Sequence, residues 1–116
     1  MPDSCQILCL GDIILDTYSE GLVERISPEA PIPVLKVASN KKKALGGSGN
    51  VARNITAAGS KCHLISVIGN DDSAKILREL CKKTPDLTFD LIVDKTRCTT
   101  NKQRFVSGNQ QILRVD

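Results

Sequence analysis

The sequence predicts an α/β fold: a mainly parallel sheet with flanking helices, plus a few strands of a small added β layer. Three observations carry this expectation. Apolar runs of strand length recur at "CQILCLG" (Cys5 to Gly11), "CHLISVIG" (Cys62 to Gly69) and "LTFDLIV" (Leu87 to Val93). Continuous apolar runs of this kind suit strands covered on both faces, as in a parallel layer. Stretches with helical spacing separate them, and a strand, helix, strand, helix, strand order implies parallel strands joined by right-handed crossovers. Beyond Asp94 the texture changes to short, more polar strand-like pieces.

Taken in order, the run from Cys5 opens the fold and ends at Gly11-Asp12. "IPVLKV", Ile32 to Val37, alternates and follows "SPEAPIP", whose three prolines exclude a helix, so it is expected at a sheet edge or in a flap. From Asn50 to Ala58 the apolar positions Val51, Ile55 and Ala58 repeat at helical spacing, and Gly59 suits the C-terminal stop. Asp71 and Asp72 suit the start of a second helix running through Ile76, Leu77 and Leu80. Lys82 and Lys83 suit its end, because the helix dipole favours acids first and bases last. Thr99 to Val106 and Gln111 to Val115 flank the turn-forming Ser107-Gly108-Asn109, a hairpin pattern. A polar hairpin appended to a parallel sheet is expected to cover a site.

The chain of 116 residues, 41% hydrophobic and 25% charged, has material for one core, built from Leu, Ile, Val and Ala because Trp is absent. The basic run Lys41-Lys42-Lys43 has no aromatics between its members; it is expected in a solvated loop and does not point to nucleic acid. No stretch reaches the ~18 apolar residues of a membrane span. The N-terminus lacks the basic start and apolar centre of a signal peptide, so a cytoplasmic protein without a membrane partner is expected. Five cysteines, an odd number with no CxxC pair, fit reduced and mostly buried thiols. Cys62 stands beside His63, but adjacent strand residues point to opposite faces, so no metal site is expected there.

"ALGGSGNVARN", Ala44 to Asn54, places Gly46, Gly47 and Gly49 directly before a helix. Glycine takes a positive φ freely and lets another group approach the main chain closely. A glycine-rich turn entering a helix also presents free N–H groups to an anion or to sugar hydroxyls. No Gly-Lys-Ser/Thr follows, so this is not a P-loop, and the dinucleotide fingerprint G-x-G-x-x-G is absent. A tight turn before a helix explains the spacing equally well. In "GDIILD", Asp12 and Asp16 lie just beyond the first strand, at the end where open α/β sheets bind ligands. Asp12 suits a turn cap. Asp16, an acceptor-only carboxylate, suits a pair of vicinal hydroxyls. With Asn50 facing the same pocket and Gly46 and Gly47 as its floor, the expected ligand is polyhydroxylated.

The run "GGSGNVARNITAAGSKCHLISVIG", Gly46 to Gly69, resembles the N-terminal signature of the ribokinase-like (PfkB) carbohydrate kinases: a glycine pair, Asn50, the small Ala52, then Gly59 and Gly69 at the family's intervals. Ser48 departs from that pattern, where Ala or another small residue is usual. "GDIILDTYSEG", "ERISPEAPIPVLKV" and "TTNKQRFVSGNQQILRVD" are similar to the heptose-7-phosphate kinases of the family, colinearly over essentially the whole chain. The resemblance implies that residues 1–116 are the N-terminal part of a ribokinase-like, Rossmann-type sandwich, with lid strands within about 17–37 and 97–115. It implies ATP-dependent phosphorylation of D-glycero-β-D-manno-heptose 7-phosphate at the C1 hydroxyl, towards ADP-heptose for lipopolysaccharide core. Asp16, Gly46, Gly47 and Asn50 are then expected to contact the sugar. Lys102 and Arg104 are expected at its phosphate, which needs cationic donors, although two solvated charges on a hairpin would read the same way. Arg114 and Asp116 are expected to be structural, and a homodimer through the lid is implied.

Kinases of this family also carry a C-terminal Gly-Ala-Gly-Asp segment, which forms an anion hole and supplies the base, with a nucleotide pocket nearby. Neither occurs in this sequence. The chain is therefore expected to be a truncated part of the kinase domain, without catalytic residues and inactive alone. ATP and Mg²⁺ would belong to the complete enzyme, and no cofactor is expected to bind this chain tightly. The alternatives are an inactive remnant, a lid-mediated dimerisation module, another sugar kinase of the family, and a nucleotide-binding Rossmann module, which the missing fingerprint opposes.

Overall fold

Nine elements follow from residue 5 onward: β1 (Gln6–Leu10), β2 (Ile13–Ile26), β3 (Pro33–Gly47), α1 (Ser48–Ala57), β4 (Lys61–Ile68), α2 (Asp72–Lys82), β5 (Leu87–Val93), β6 (Asn101–Ser107) and β7 (Gln110–Val115). The structure, a computed structural model, describes residues 5–116 except for the side chains of Ser39 and Asn40. Residues 1–4, part of the segment read above for a signal peptide, lie outside the described residues. One sheet has the order β1-β4-β5 and the other β3-β2-β6-β7. The chain divides into two compact units: residues through Leu15 together with Ala44–Asn101, and Asp16–Lys43 together with Lys102–Asp116. Among the described residues no helix is long and apolar enough to cross a membrane.

The first unit is the expected α/β layer. β1 and β5 each pair in parallel with β4, with Gln6 opposite Lys61 and Cys62 opposite Leu87. One core cluster joins Ile13, Leu15, Leu45, Ala52, Cys62, Leu64, Ile68, Ala74, Leu77, Cys81 and Leu91. Both helices therefore bury against one face of the sheet. The opposite face corrects the expectation that these strands are covered on both sides. Leu8 and Leu10 are 64% and 76% exposed, and Val67 and Ile92 are also open to solvent. Successive strand residues alternate faces, so the apolar runs continue through side chains that nothing covers among the described residues. The same alternation separates Cys62, which is buried, from His63, whose ring meets Thr88 Oγ1 at 2.6 Å and Asp90 Oδ2 at 3.0 Å on the open face.

α1 begins two residues earlier than its periodicity suggested, and of the expected stripe Ile55 packs against the core but Val51 and Ala58 do not. Gly49 and Ala52 face the core while Val51 is exposed. The cause is distance: a Cβ on Gly49 would stand 3.1 Å from both Ile13 Cγ1 and Leu45 Cβ, so only the smallest residues fit at this contact. Gly59, with φ 101°, ends the helix as expected.

α2 keeps its expected signals. Asp71 caps it by accepting from the Ala74 N–H at 2.9 Å, and Asp72 and Lys82 stand at its acidic and basic ends. The other oxygen of Asp71 accepts from the Thr99 N–H at 2.9 Å, while Thr99 Oγ1 accepts from the Gly69 N–H at 2.9 Å. The end of β4, the start of α2 and the segment leading to β6 are thus tied through Asp71 and Thr99.

In the second unit, β2 and β3 are longer than the sequence reading allowed. β2 alternates in burial, yet its buried positions after Leu15 are Thr17 and Ser19, so no apolar alternation marks it. Gly21 is required by sheet contact: a Cβ there would lie 2.3 Å from the Lys36 carbonyl oxygen. Pro28 and Pro31 fall in the connection, closed by Ser27 N–H donating to Ile32 O at 2.8 Å, and Pro33 opens β3. Lys41 to Lys43 lie in β3 rather than in a loop. They are solvated, as expected, and Lys42 is 3.5 Å from Glu20. β6 and β7 form the expected antiparallel hairpin, with Gly108 at φ 61° in its turn and a bulge between Phe105 and Val106.

The Thr99 N–H is the first cause that holds the Asp71 carboxyl below the usual carboxylate range. A lowered folded-state value means stability that is complete above the unfolded Asp pKa of about 3.9 and lost as pH falls through the folded value. Asp71→Ala should lower stability at pH 7 by about 1–2 kcal/mol. Urea unfolding at pH 7 and pH 3 checks it: the gap between wild type and variant should narrow at the lower pH.

Candidate functional site

Gly46 and Gly47 close β3, and Asn50 lies in the first turn of α1. Gly47 adopts φ 55°, and a Cβ there would lie 2.3 Å from the Asp12 carbonyl oxygen. The close approach suggested by the glycines is thus made by the chain itself. The same carbonyl accepts from the Ser48 N–H at 2.8 Å, satisfying one of the donors a helix start leaves open. The helix has no side-chain cap and no acid in its first turn.

Asn50 is oriented by a residue the sequence reading did not single out. Arg53 Nη2 donates to Asn50 Oδ1 at 2.9 Å. A guanidinium has only donors, so the amide oxygen must face it and the NH₂ group points elsewhere. Asn50 therefore offers N–H donors to a ligand oxygen. Arg53 stands three residues along the same helix, a spacing that brings side chains together, and that is the signal by which it was findable.

Asp16, Lys102 and Arg104 belong to the second unit. β2 and β6 are neighbours, and Arg104 Nη1 donates to Asp16 Oδ1 at 3.0 Å. Both side chains are largely shielded, 22% and 19% exposed. Tyr18, two residues beyond Asp16 and so on the same face, holds its ring 5.4 Å from the guanidinium carbon. The Asp16 contact leads the causes that raise the Arg104 pKa, so its charge is secure. Lys102 lies 3.1 Å from Asp116 Oδ2, and Arg114 Nη2 lies 3.0 Å from the same oxygen. Lys102 leads the causes that lower the Asp116 pKa. Around Asp16 and Asp116, three cations thus meet two carboxylates. The opposite face is apolar: Phe105 and Leu113 pair across the hairpin and line a groove of about 370 Å³ with Ile32, Pro33, Leu35 and Val37.

A family model for the pfkB family carbohydrate kinases matches residues 5–115. The chain belongs to that family. It is 48% identical over 110 residues to the bifunctional protein HldE of Caulobacter sp. strain K31, covering 95% of this chain and 22% of that protein. It is 47% identical over 111 residues to the bifunctional protein HldE of Helicobacter pylori strain J99, covering 96% of this chain and 24% of that protein. The chain thus spans less than a quarter of the first relative's length and about a quarter of the second's. Among solved structures, a carbohydrate kinase from Agrobacterium tumefaciens superposes with a TM-score of 0.75 at 18% identity, covering 96% of this chain and 34% of that one. That likeness shows the fold, and the parallel β1-β4-β5 sheet agrees with it.

Ser48, the departure from the family pattern, has a buried Oγ with no hydrogen-bond partner among the described residues. Ser48→Ala should therefore raise stability, by up to about 1 kcal/mol. Gly47→Ala should lower it by at least about 1–2 kcal/mol, since an L side chain is disfavoured at this φ and the Asp12 backbone cannot swing away. Denaturant midpoints of the two variants should move in opposite directions.

Proposed function

We propose that this chain is the sugar-binding part of an ATP-dependent kinase that phosphorylates D-glycero-β-D-manno-heptose 7-phosphate at its C1 hydroxyl. What carries the reading is the charged face of the second unit. The Asp16 carboxylate has one oxygen held by Arg104, and no described hydrogen bond engages the other. A shielded carboxylate with a free oxygen suits sugar hydroxyls, and the surplus of cations beside it suits an anionic sugar. The similarity of "GDIILDTYSEG" and "TTNKQRFVSGNQQILRVD" to heptose-7-phosphate kinases supports this substrate over others of the family.

In this reading Asp16 accepts from hydroxyls, Asn50 donates to a sugar oxygen, and the backbone at Gly46 and Gly47 lines the sugar's approach. Lys102 meets the existing phosphate. The segments about 17–37 and 97–115 act as the lid that excludes water, which limits futile hydrolysis. ATP and Mg²⁺ supply the transferred phosphoryl group and its charge neutralisation. No residue here is assigned to them: a P-loop and the Gly-Ala-Gly-Asp segment are absent from the sequence. The base is therefore assigned outside these residues, and the product feeds ADP-heptose synthesis in the cytoplasm. The apolar face of the second unit, with Val37, Leu113 and Val115 about half exposed, supports a homodimer through the lid.

Asp16→Asn, in the native gene product, keeps volume but replaces a charged acceptor. kcat/KM for heptose 7-phosphate should fall by about one to two orders of magnitude with folding nearly unchanged. Unchanged efficiency would remove Asp16 from the site. The purified 116-residue chain should show no ATP-dependent phosphorylation of any sugar, and turnover in a coupled ADP assay would place the base within it.

A further inference from the structure

Arg104 was expected at the substrate's phosphate, but the geometry points to another task. We propose that Arg104 is a positioning residue: bracketed by Asp16 and Tyr18, it aims the Asp16 carboxylate at the sugar hydroxyls. The proposal rests on the sugar-binding role of Asp16 given above.

Asp16 and Tyr18 are two apart on β2, so both project on one face, and Arg104 comes from the neighbouring strand between them. Its guanidinium is 3.0 Å from Asp16 Oδ1 and 5.4 Å from the Tyr18 ring centre. A planar, delocalised cation can hydrogen-bond in its plane and stack on a ring at once, which an ammonium cannot. The side chain therefore has little freedom to turn outward. Across the hairpin, Arg104 is paired with Arg114, and like charges opposite each other repel. Arg114 turns to Asp116, as does Lys102. The face thus sorts into two sets: Asp16, Tyr18 and Arg104, which are shielded, and Lys102, Arg114 and Asp116, of which the last two are about half exposed. In the second set Arg114 is the open cation for a phosphate, with Lys102, 25% exposed, beside it. The first set fixes one carboxylate oxygen and leaves the other for hydroxyls.

Two measurements test this. In the native gene product, Arg104→Ala should lower kcat/KM by about ten- to a hundredfold for heptose 7-phosphate and for unphosphorylated heptose alike. Arg104→Lys, which restores a charge to Asp16, should recover part of the loss for both sugars. Asp16→Asn with Arg104→Ala should be little worse than Asp16→Asn alone. A loss confined to the phosphorylated sugar overturns the proposal and makes Arg104 a phosphate ligand.

The second measurement needs no turnover, so it stands even where neither sugar is a substrate and the functional reading itself fails. In the purified 116-residue chain Tyr18 is the single tyrosine and tryptophan is absent, so ultraviolet emission measured on that chain reports this ring alone. Arg104→Ala and Asp16→Asn should change that emission in the same direction, and Lys102→Ala should leave it as in the wild type. Emission unaltered by Asp16→Asn would show that the carboxylate does not hold the guanidinium on the ring, and would overturn the proposal.

Discussion

The hydrogen bond from the Ser48 amide to the Asp12 carbonyl governs the edge of the first unit where α1 begins. It is possible only because Gly47 turns through φ 55° with no Cβ to strike that same carbonyl. The start of α1 is thereby fixed against the junction of β1 and β2, and Asn50, within that first turn, is fixed with it. Two further bonds hold the junction: Ile13 N–H donates to Ser66 Oγ at 2.9 Å and Leu15 N–H to Thr100 O at 2.9 Å. The chain enters the second unit immediately after Leu15. Its exit and the helix start are thus set by two backbone–backbone bonds and one bond to the Ser66 hydroxyl.

The second unit is a sheet with divided chemistry. One face sorts its charges into pairs, and the other gathers Leu35, Phe105 and Leu113 around a groove. Period-two alternation produces this division within each strand. The bulge between Phe105 and Val106 keeps Phe105 opposite Leu113 on the apolar side and Arg104 opposite Arg114 on the charged side. Placing two arginines opposite each other then makes separate carboxylate partners, Asp16 and Asp116, an electrostatic necessity.

Where side-chain pattern and fold coincide, the sequence was informative. LTFDLIV became β5 with the same bounds, Asp71 became the cap of α2, and Ser107-Gly108-Asn109 marked the hairpin turn. β2 was illegible because Thr17 and Ser19 fill its buried positions after Leu15, so polarity hides the alternation. The α1 stripe was misread at Val51 because close packing on Ile13 and Leu45 puts Gly49, which has no side chain to show a pattern, at the buried contact. Of the candidate site residues, the glycines and Asp16 stood out by type and place. Tyr18 did not, because its relation to Asp16 exists only once β2 is known to be a strand. The partners of Arg104 were hidden for the same reason.

The parallel sheet also carries an order of assembly. β4, α2 and β5 are consecutive in the chain, and their pairing closes through a single short crossover. β1 reaches β4 only across the whole excursion through β2, β3 and α1, joining Gln6 to Lys61. The entropy of closing so long a loop must be met before its contacts reward it. The β4-α2-β5 segment is thus the natural nucleus, and β1 the last strand to dock. A growing chain on the ribosome would hold β1 without its partner strand until Ile68 had emerged, and β2 with β3 alone until β6 followed.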